Sequence, residues 1–244
     1  MKILQLNVWT GRIKGSLLKF FRENDFDVVC LQEAVWGDLP DGVLENFFVT
    51  VDQIKEAGRF QYESRSSNFS LQMSTGKMQQ GNVVLSRERI VNEEIRSVFG
   101  ENKSLQSMED LRNHEYTVQK IKLENGLTVF NHHGYWLPTP MGDEATVSVM
   151  QKVANFVKEA DGPVVLCGDL NVIHDSPAMR ALDFLRDLTA EKGIKNTLNS
   201  LKCDGAVACD HILVNNKINV QSFDAINDLV SDHKGLVMKI DHHK

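Results

Sequence analysis

The sequence predicts a layered α/β fold contained in one domain, residues 1–244. Short apolar runs bounded by glycine, proline or polar residues recur along the chain, and such runs are typical of buried β-strands. Segments with apolar residues at every third or fourth position lie between these runs and predict amphipathic helices. No repeat, low-complexity tract or Pro/Gly-rich linker divides the chain. Because strands and helices mix throughout, one α/β domain is the simplest interpretation.

The predicted elements can be placed in order along the chain. Strands are predicted over 2–8, 27–31, 81–86, 115–123, 127–132, 164–167, 210–214, 220–223 and 236–240, and within the polar stretch 60–80. Helices are predicted over 14–24, 41–57, 143–160 and 176–188. Asn125-Gly126 lies between two alternating apolar runs and predicts a hairpin. Gly142-Asp143 and Ser176-Pro177 are the expected starts of the last two helices.

Composition restricts the function classes. The apolar content of 42% suits a soluble protein with a sizeable core, and no apolar run approaches the roughly 20 residues that span a bilayer. The net charge of −6 argues against strong nucleic-acid binding through bulk electrostatics. No basic-then-apolar leader opens the sequence, and the four cysteines have no paired spacing. We therefore expect a cytoplasmic protein without a membrane anchor, acting as a monomer.

The central strand is the apolar run 164–167, which ends in Gly168-Asp169-Leu170-Asn171. Side chains two residues apart at the end of a strand leave on the same side. A carboxylate and an amide delivered together at this point suit a metal, a water molecule or a phosphate oxygen. An Asx-type turn that closes the strand is the alternative interpretation.

Polar residues also end the other apolar runs. They are Asn7, Glu33, Asp210, the pair His132-His133 after a strand, and Ser231-Asp232-His233 before the last strand. Oxygen ligands without a Cys/His cage suit Mg²⁺ or Mn²⁺ more than Zn²⁺. Phosphoester hydrolysis needs an activated water, charge neutralisation and a route for the leaving-group proton. Asp169 could take the proton from water, and Asn171 could hold a phosphoryl oxygen.

The ordered set of motifs resembles the endonuclease/exonuclease/phosphatase superfamily. The matching motifs are Asn7, Leu31-Gln32-Glu33, Gly81 before Val-Val-Leu-Ser, Asn131-His132-His133, Gly168-Asp169-Leu170-Asn171, Asp210 before Ile-Leu-Val, and Ser231-Asp232-His233. The resemblance covers nearly the whole chain. It implies a four-layer α/β sandwich, in which two mixed β-sheets pack face to face with helices on the outside, and a metal-dependent phosphoric ester hydrolase.

The resemblance also implies a role for individual acids and amides. Glu33 is expected to be the principal Mg²⁺ ligand, with Asn7 beside it and Asp232 close to the metal. Asp169 is expected to orient or deprotonate the attacking water. Asn171 is expected to contact the phosphate.

Histidines complete the implied site. His233 is expected to contact the scissile phosphate while Asp210 holds it by a hydrogen bond. His133 is expected to act as a phosphate ligand or proton donor, with the adjacent His132 as the alternative. His211 follows Asp210 directly and is expected to point away from the site by strand alternation.

Other residues near the motifs have weaker signals. Five of them are candidates for substrate contact: Trp9, Trp36, Tyr135, Trp136 and His174. Core packing is the alternative for the tryptophans, and a loop position without a role is the alternative for His174. Cys203, Cys209 and His211 lack the second ligand pair of a zinc site.

The favoured function is hydrolysis of a phosphodiester or phosphomonoester, with a phosphate-ester substrate on a nucleic-acid end or a small phosphodiester. The acidic charge argues against a processive DNA nuclease. A lipid or inositol-phosphate phosphoesterase is one alternative, and a non-catalytic scaffold that binds a phospho-ligand is another. A scaffold has no need for so many acids and histidines together, which favours the enzyme.

Overall fold

The structure is a computed structural model that describes residues 1–37, 48–73, 76–101, 103–105, 114–199 and 207–241. Its strands are β1 Lys2–Asn7, β2 Val28–Gly37, β3 Tyr62–Met73, β4 Gly76–Ser86, β5 Ile90–Phe99, β6 Lys103–Leu105, β7 Tyr116–Leu123, β8 Thr128–His132, β9 Val164–Asp169, β10 Arg186–Asp187, β11 Asp210–Val214, β12 Val220–Ala225 and β13 Leu236–Ile240. Its α-helices are α1 Lys14–Glu23, α2 Val51–Gly58, α3 Glu144–Lys158 and α4 Leu188–Glu191.

The strands form two mixed sheets. The first has the order β12-β13-β1-β2-β4-β3-β6, and the second has the order β10-β11-β9-β8-β7-β5. In the first sheet β1 and β2 are parallel, and in the second β8 and β9 are parallel. Most of the remaining neighbours are antiparallel, including β13 against β1 and β11 against β9. The two central parallel pairs therefore have antiparallel strands on their outer sides.

The two sheets and the helices on their outer faces form four layers, which pack together through three apolar clusters. Between the sheets, Ile3, Val28 and Val84 of the first sheet belong to one buried cluster with Ile121 and Ile212 of the second. A second cluster joins the other face of the first sheet to α1 and α2. A third joins the other face of the second sheet to α3. This is the predicted four-layer sandwich with helices on the outside, and burial of these side chains is its main source of stability.

The strand directions bring the predicted polar ends to one edge. Asn7, at the end of β1, lies beside Gln32 of the parallel β2. Asp169, at the end of β9, is paired with Asp210 at the start of the antiparallel β11. Since β13 is antiparallel to β1, the residues that precede β13, including His233, come to the same edge.

Two local predictions are confirmed in detail. β7 and β8 form an antiparallel hairpin, and Gly126 in its turn has a φ of +88°, a conformation that favours glycine. Helix α3 begins after Asp143, whose side chain accepts a hydrogen bond from the Thr146 backbone N–H at 2.9 Å. The Thr146 hydroxyl closes a reciprocal capping box.

The helix predicted over 176–188 is wrong in type and length. A 3-10 helix covers Pro177–Leu182, after which Arg186–Asp187 pairs with β11 as a short strand. The Asp187 side chain then accepts hydrogen bonds from the Thr189 and Ala190 backbone N–H groups and so begins α4. Strand pairing and a second capping site therefore override the helical spacing.

The helix predicted over 41–57 is described only from residue 48 onward. Helix α2 starts at Val51, because Thr50 is extended and forms a capping box with Gln53. Residues 38–47 lie outside the described part of the chain, as do most of the polar stretch 100–113 and Cys203. Among the described helices, none has the length and apolar character needed to cross a membrane.

Buried amides connect the sheets across the apolar layer. The Asn131 amide on β8 donates to the backbone carbonyl oxygens of Leu31 and Val83, at 3.0 and 3.1 Å, and its oxygen accepts from Gln32 Nε2 at 2.7 Å. Leu31 and Val83 form the last regular pair before the β2–β4 register shifts, and Glu33 lies in the shifted stretch, two residues after Leu31. Asn131 thus ties the second sheet to the β-bulge of the first.

We expect Asn131→Ala to destabilise the fold by about 3 kcal/mol, because it leaves two buried carbonyl groups and one amide without this partner. Chemical denaturation followed by circular dichroism measures the effect. Asn155→Ala, on the exposed face of α3, is the matched control and should change stability by less than about 0.5 kcal/mol. Equal effects of the two substitutions would contradict the role assigned to Asn131.

Candidate active site

Asp169 lies at the centre of the polar edge and is 1% exposed. Its Oδ2 accepts a hydrogen bond from Asn7 Nδ2 at 3.0 Å. The Nε2 atoms of His133 and His233 lie 3.6 and 3.7 Å from the same oxygen. Its Oδ1 accepts the backbone N–H of Asn171 at 3.1 Å. One carboxylate therefore contacts residues from both sheets.

Glu33 projects from the β-bulge of β2. Its φ is +52°, which is uncommon for a residue with a side chain, and the surrounding pairing of β2 with β1 and β4 holds it there. Its Oε1 accepts a hydrogen bond from Asn7 Nδ2 at 3.0 Å. The same amide nitrogen therefore bridges the carboxylates of Glu33 and Asp169.

Asn7 presents its nitrogen, not its oxygen, to these acids. Its Oδ1 accepts the backbone N–H of Trp9 at 3.0 Å, and its own backbone carbonyl accepts the Ser231 hydroxyl at 2.6 Å. To bind a metal between these carboxylates, the amide oxygen would have to rotate toward them, which would break its hydrogen bond with the Trp9 backbone N–H. In this arrangement Asn7 aligns two carboxylates, and its role as a metal ligand stays a prediction.

His233 and Asp210 form the expected pair. The His233 Nδ1 lies 2.9 Å from Asp210 Oδ2, so the carboxylate directs the other ring nitrogen, Nε2, toward Asp169. Both residues are almost fully buried. Asp232 lies close by, with its Oδ1 3.9 Å from His233 Nε2. The backbone carbonyls on either side of Asp232 both accept hydrogen bonds from Asn199 Nδ2, which fixes this segment.

Gln5 is a site residue that the sequence analysis missed. Its fully buried amide donates to Asp210 Oδ1 and to Gln32 Oε1, both at 2.9 Å. Gln5 and Asn7 are two residues apart on β1 and therefore share a face. The sequence contains a signal for Gln5, because two amides on one face of an apolar strand indicate buried polar contacts.

Asn171 lies in the Asx-type turn that was the alternative interpretation of Asp169-Leu170-Asn171, and its predicted phosphate contact stays a prediction. Its backbone N–H bonds to the Asp169 side chain, which is the geometry of an Asx-type turn, and its φ is +57°. Its side-chain Nδ2 donates to the Gly134 backbone carbonyl at 2.9 Å. The turn thus places Asn171 beside Asp169 and joins the β9 end to the segment after β8.

The structure separates the two adjacent histidines. His133 is half-buried and faces Asp169. His132 points into the interior, where its Nδ1 bonds to the Thr117 carbonyl and its buried Nε2 has no hydrogen-bond partner among the described residues. Burial lowers the pKa of His132 to about 4. Only His133 is therefore positioned at the site.

His211 points away from the site, as strand alternation predicted. Its Nδ1 and Nε2 lie 2.9 Å from Asp187 Oδ2 and from the Val172 carbonyl oxygen. Because both partners are acceptors, both ring nitrogens carry protons. Burial alone would lower the pKa of His211, but the Asp187 carboxylate outweighs this effect and the pKa is raised.

His174 also bonds to Asp187, at 2.9 Å, and the two residues line a separate cleft. The contacts of His174 therefore do not support its predicted place near the phosphate.

The aromatic candidates differ in exposure. Trp36 is buried in the cluster between the first sheet and its helices, which matches the packing alternative. Trp9 is half-buried beneath the Arg12 guanidinium, which lies 5.0 Å from its ring. Tyr135 packs edge-on against Phe99. Trp136 is 51% exposed and lines a cleft next to Asn171 and His233.

The donor set at this edge suits a hard divalent cation. The carboxylates of Glu33 and Asp169 share one amide nitrogen, and Asp232 lies near the same histidine as Asp169. Carboxylates held this close repel each other, and a cation between them relieves the repulsion. Their oxygen atoms are ligands that Mg²⁺ and Mn²⁺ accept.

A second group of ligand atoms overlaps this one. One atom each of Asp169, Cys209, Asp210 and His233 lies within 4.8 Å of the others. Asp210 and His233 already bond to each other in this group, and Asp210 also accepts from Gln5. A carboxylate–histidine pair explains this group better than a metal with a thiol ligand does, since the atoms of the pair are occupied.

Comparisons with solved structures show the class of fold. The endonuclease/exonuclease/phosphatase from Beutenbergia cavernae has a TM-score of 0.71 at 16% identity, over 99% of this chain and 71% of that chain. The mannosyl-6-phosphatase from Bacteroides thetaiotaomicron has a TM-score of 0.68 at 17% identity, over 99% of both chains. Sphingomyelinase C from Streptomyces griseocarneus has a TM-score of 0.59 at 16% identity, over 98% of both. The similarity spans the two-sheet sandwich.

The family follows from the sequence match. The model of the Endonuclease/Exonuclease/phosphatase family matches residues 4–233, so this chain belongs to that family. A comparison with curated proteins found no match. Enzymes of the family are generally hydrolases that act on phosphoesters and typically use divalent metals.

We expect His132 and His211 to titrate on opposite sides of the ordinary pKa value of 6.5. His132 should stay neutral until about pH 4, so the stability that its neutral form contributes is lost as pH falls from 6.5 toward 4. The protonated His211 contributes stability that is lost only as pH rises through its raised pKa.

NMR titration of the imidazole signals measures both values, with His132→Asn and His211→Asn assigning the signals. If His132 gained its proton at a higher pH than His211, the environments described for the two rings would be wrong.

Proposed function

We propose that this protein is a divalent-metal-dependent phosphoesterase that hydrolyses a phosphodiester or phosphomonoester by in-line attack of water. The observation that supports this proposal most directly is the convergence on Asp169. Glu33 is linked to it through Asn7, while His133 and His233 lie 3.6 and 3.7 Å from its Oδ2. Acids, amides and histidines at these separations can hold a phosphoryl group and move its protons.

Asp169 is the group that orients and deprotonates the attacking water in this proposal. Its carboxylate is held from one side by Asn7 and from the other by the Asn171 backbone N–H, so its direction is fixed before a substrate arrives. Such preorganisation lowers the cost of reaching the transition state. Asn171 contributes a contact to a phosphoryl oxygen.

His233 binds a phosphoryl oxygen through Nε2. Asp210 accepts from Nδ1 and so determines which nitrogen faces the substrate, and Gln5 holds the second oxygen of that carboxylate. His133 serves as the second phosphate ligand or as the donor of the leaving-group proton. With their Nε2 atoms near the same carboxylate oxygen, the two histidines can serve different atoms of one phosphoryl group.

Glu33 is the principal residue that would hold Mg²⁺ or Mn²⁺, with Asp232 close to it and Asn7 beside it. The cation supplies charge neutralisation for the phosphoryl oxygens when it is bound. The half-buried position of Glu33 at the site edge leaves its carboxylate within reach of solvent. Asn7 keeps this carboxylate aligned with that of Asp169.

For the substrate, we propose a nucleic-acid end or a small phosphodiester. The fold is shared with a mannosyl-6-phosphatase and a sphingomyelinase, so sugar, lipid and inositol phosphates belong in the same test. The net charge of −6 favours a small substrate or a strand end over a long polyanion, because a long polyanion is repelled along its whole length. A cytoplasmic monomer remains our expectation.

Turnover tests the proposed reaction. The panel consists of single- and double-stranded DNA, RNA, a 5′-tyrosyl oligonucleotide, sphingomyelin, inositol phosphates, mannose 6-phosphate and bis-p-nitrophenyl phosphate, each with Mg²⁺, Mn²⁺ or EDTA. We expect metal-dependent hydrolysis that falls by more than about a hundredfold in Asp169→Asn, since this change keeps the shape and removes the base. The control is Asp161→Asn on the surface. Full activity of Asp169→Asn would refute its assigned role.

Metal binding tests the scaffold alternative without any substrate. We expect Mg²⁺ to raise the melting temperature, by several degrees at about a hundred times its dissociation constant, and Glu33→Gln to abolish most of this rise. Glu144→Gln, an exposed acid in the first turn of α3, should leave the rise intact. A rise of equal size in both variants would place the cation elsewhere, and no rise in the wild type would favour a scaffold.

A further inference from the structure

A small apolar cleft opens beside the proposed phosphate position. Its volume is about 150 Å³, and Asn171 and His233 form part of its wall. The remaining wall is mainly apolar: it contains Trp136, Leu137, Pro138, Pro140, Leu198 and Val207, together with the thiol of Cys209. A group attached to a phosphate that His233 and Asn171 hold would therefore enter this cleft directly.

Trp136 is the largest exposed side chain of the cleft, and the backbone that carries it is anchored. Its backbone N–H bonds to the Tyr116 hydroxyl, whose pKa burial raises to about 12. Two residues earlier, the Gly134 N–H donates to the Asp169 carbonyl at 2.8 Å, and the Gly134 carbonyl accepts from Asn171. The segment that carries Trp136 is thus tied to the residues that carry the proposed chemistry.

The far end of the segment is tied down as well. The Pro140 carbonyl accepts the Ile173 backbone N–H at 3.0 Å, and the Met141 carbonyl accepts the Ser176 hydroxyl at 2.7 Å. Pro138 and Pro140 each fix one backbone dihedral. The anchored backbone limits where the Trp136 indole can lie, so less conformational freedom is lost when a ligand ring stacks on it.

The chemistry of the wall distinguishes between substrate classes. A polyhydroxylated group needs hydrogen-bond partners for its hydroxyls, and each one left without a partner costs free energy. The described side chains of this wall that are neither Asn171 nor His233 offer only the Trp136 indole N–H and the Cys209 thiol. A planar apolar group instead gains burial and stacking on the indole.

We propose that this cleft is a subsite for an aromatic group esterified to the reacting phosphate, with Trp136 as the residue that selects it. This inference rests on the proposed phosphoesterase function, since His233 and Asn171 fix where the phosphate lies. It narrows the substrate class to aryl or heteroaryl phosphoesters and places hexose and inositol phosphates among the poorer substrates.

Binding of phosphonates tests the subsite without hydrolysis. Phenylphosphonate and methylphosphonate share the anionic head and differ in the ring. Calorimetry with Mg²⁺ should show that the wild type binds phenylphosphonate about tenfold more tightly. Trp136→Ala should remove this preference and leave methylphosphonate affinity within twofold, and Trp136→Phe should retain most of the preference.

Phe184→Ala is the matched control, because Phe184 is also an exposed aromatic residue but does not line the cleft. It should preserve the preference for phenylphosphonate. Equal binding of the two phosphonates by the wild type, or an unchanged preference in Trp136→Ala, would overturn the proposal. Circular dichroism of each variant establishes that it is folded.

Parallel turnover assays separate this proposal from the reaction on which it rests. Three aryl esters (phenyl phosphate, bis-p-nitrophenyl phosphate and phosphotyrosine) and two sugar esters (a nucleoside 5′-monophosphate and mannose 6-phosphate) are compared in the wild type and in Trp136→Ala. A loss of kcat/KM in Trp136→Ala that is confined to the aryl esters supports the subsite, and the phosphotyrosine arm tests whether a tyrosyl group fits it. Turnover without any such preference would reject the subsite alone. A ring-dependent phosphonate affinity without turnover would reject hydrolysis alone.

Discussion

The candidate site depends on one amide that bridges two sheets. Asn7 of the first sheet donates from a single nitrogen to Glu33, on its own sheet, and to Asp169, on the opposite one. Gln5, two residues earlier, makes the same kind of connection to Asp210. Both amides are completely buried, where a donor without a partner is costly, so the two sheets are held in the one relative position that satisfies them. That position also aligns the acids.

The local conformations at the site are less favourable than those of the surrounding strands. Glu33 and Asn171 both have positive φ values, although neither is a glycine. Asn131 supports the bulge that carries Glu33 by bonding to the Leu31 and Val83 carbonyls from the other sheet, while the Asp169 side chain supports Asn171. Strained residues supported in this way are typical of functional sites. The stability of the rest of the sandwich offsets the strain at Glu33 and Asn171. Their side chains can therefore point in directions that a regular strand would not allow.

Much of the fold and part of the site could be predicted from local sequence. Apolar runs identified the central strands, and Asn125-Gly126 identified the hairpin, because both signals come from residues that are neighbours in the chain. The helix predicted over 176–188 failed because Arg186–Asp187 pairs with β11, a partner more than twenty residues away. The partner that the Gln5 amide meets was unpredictable for the same reason, since Asp210 is 205 positions distant.

The sequence alone determined the order of the polar strand ends and the residue types at each, and these were sufficient to indicate the family and its chemistry. Only the tertiary structure decided that His133, and not His132, faces Asp169, that His174 bonds Asp187 in a separate cleft, and that Trp36 is buried while Trp136 is exposed. The physical reason is that strand spacing fixes which side of a strand a residue occupies, whereas the packing of one sheet on another fixes what that side meets.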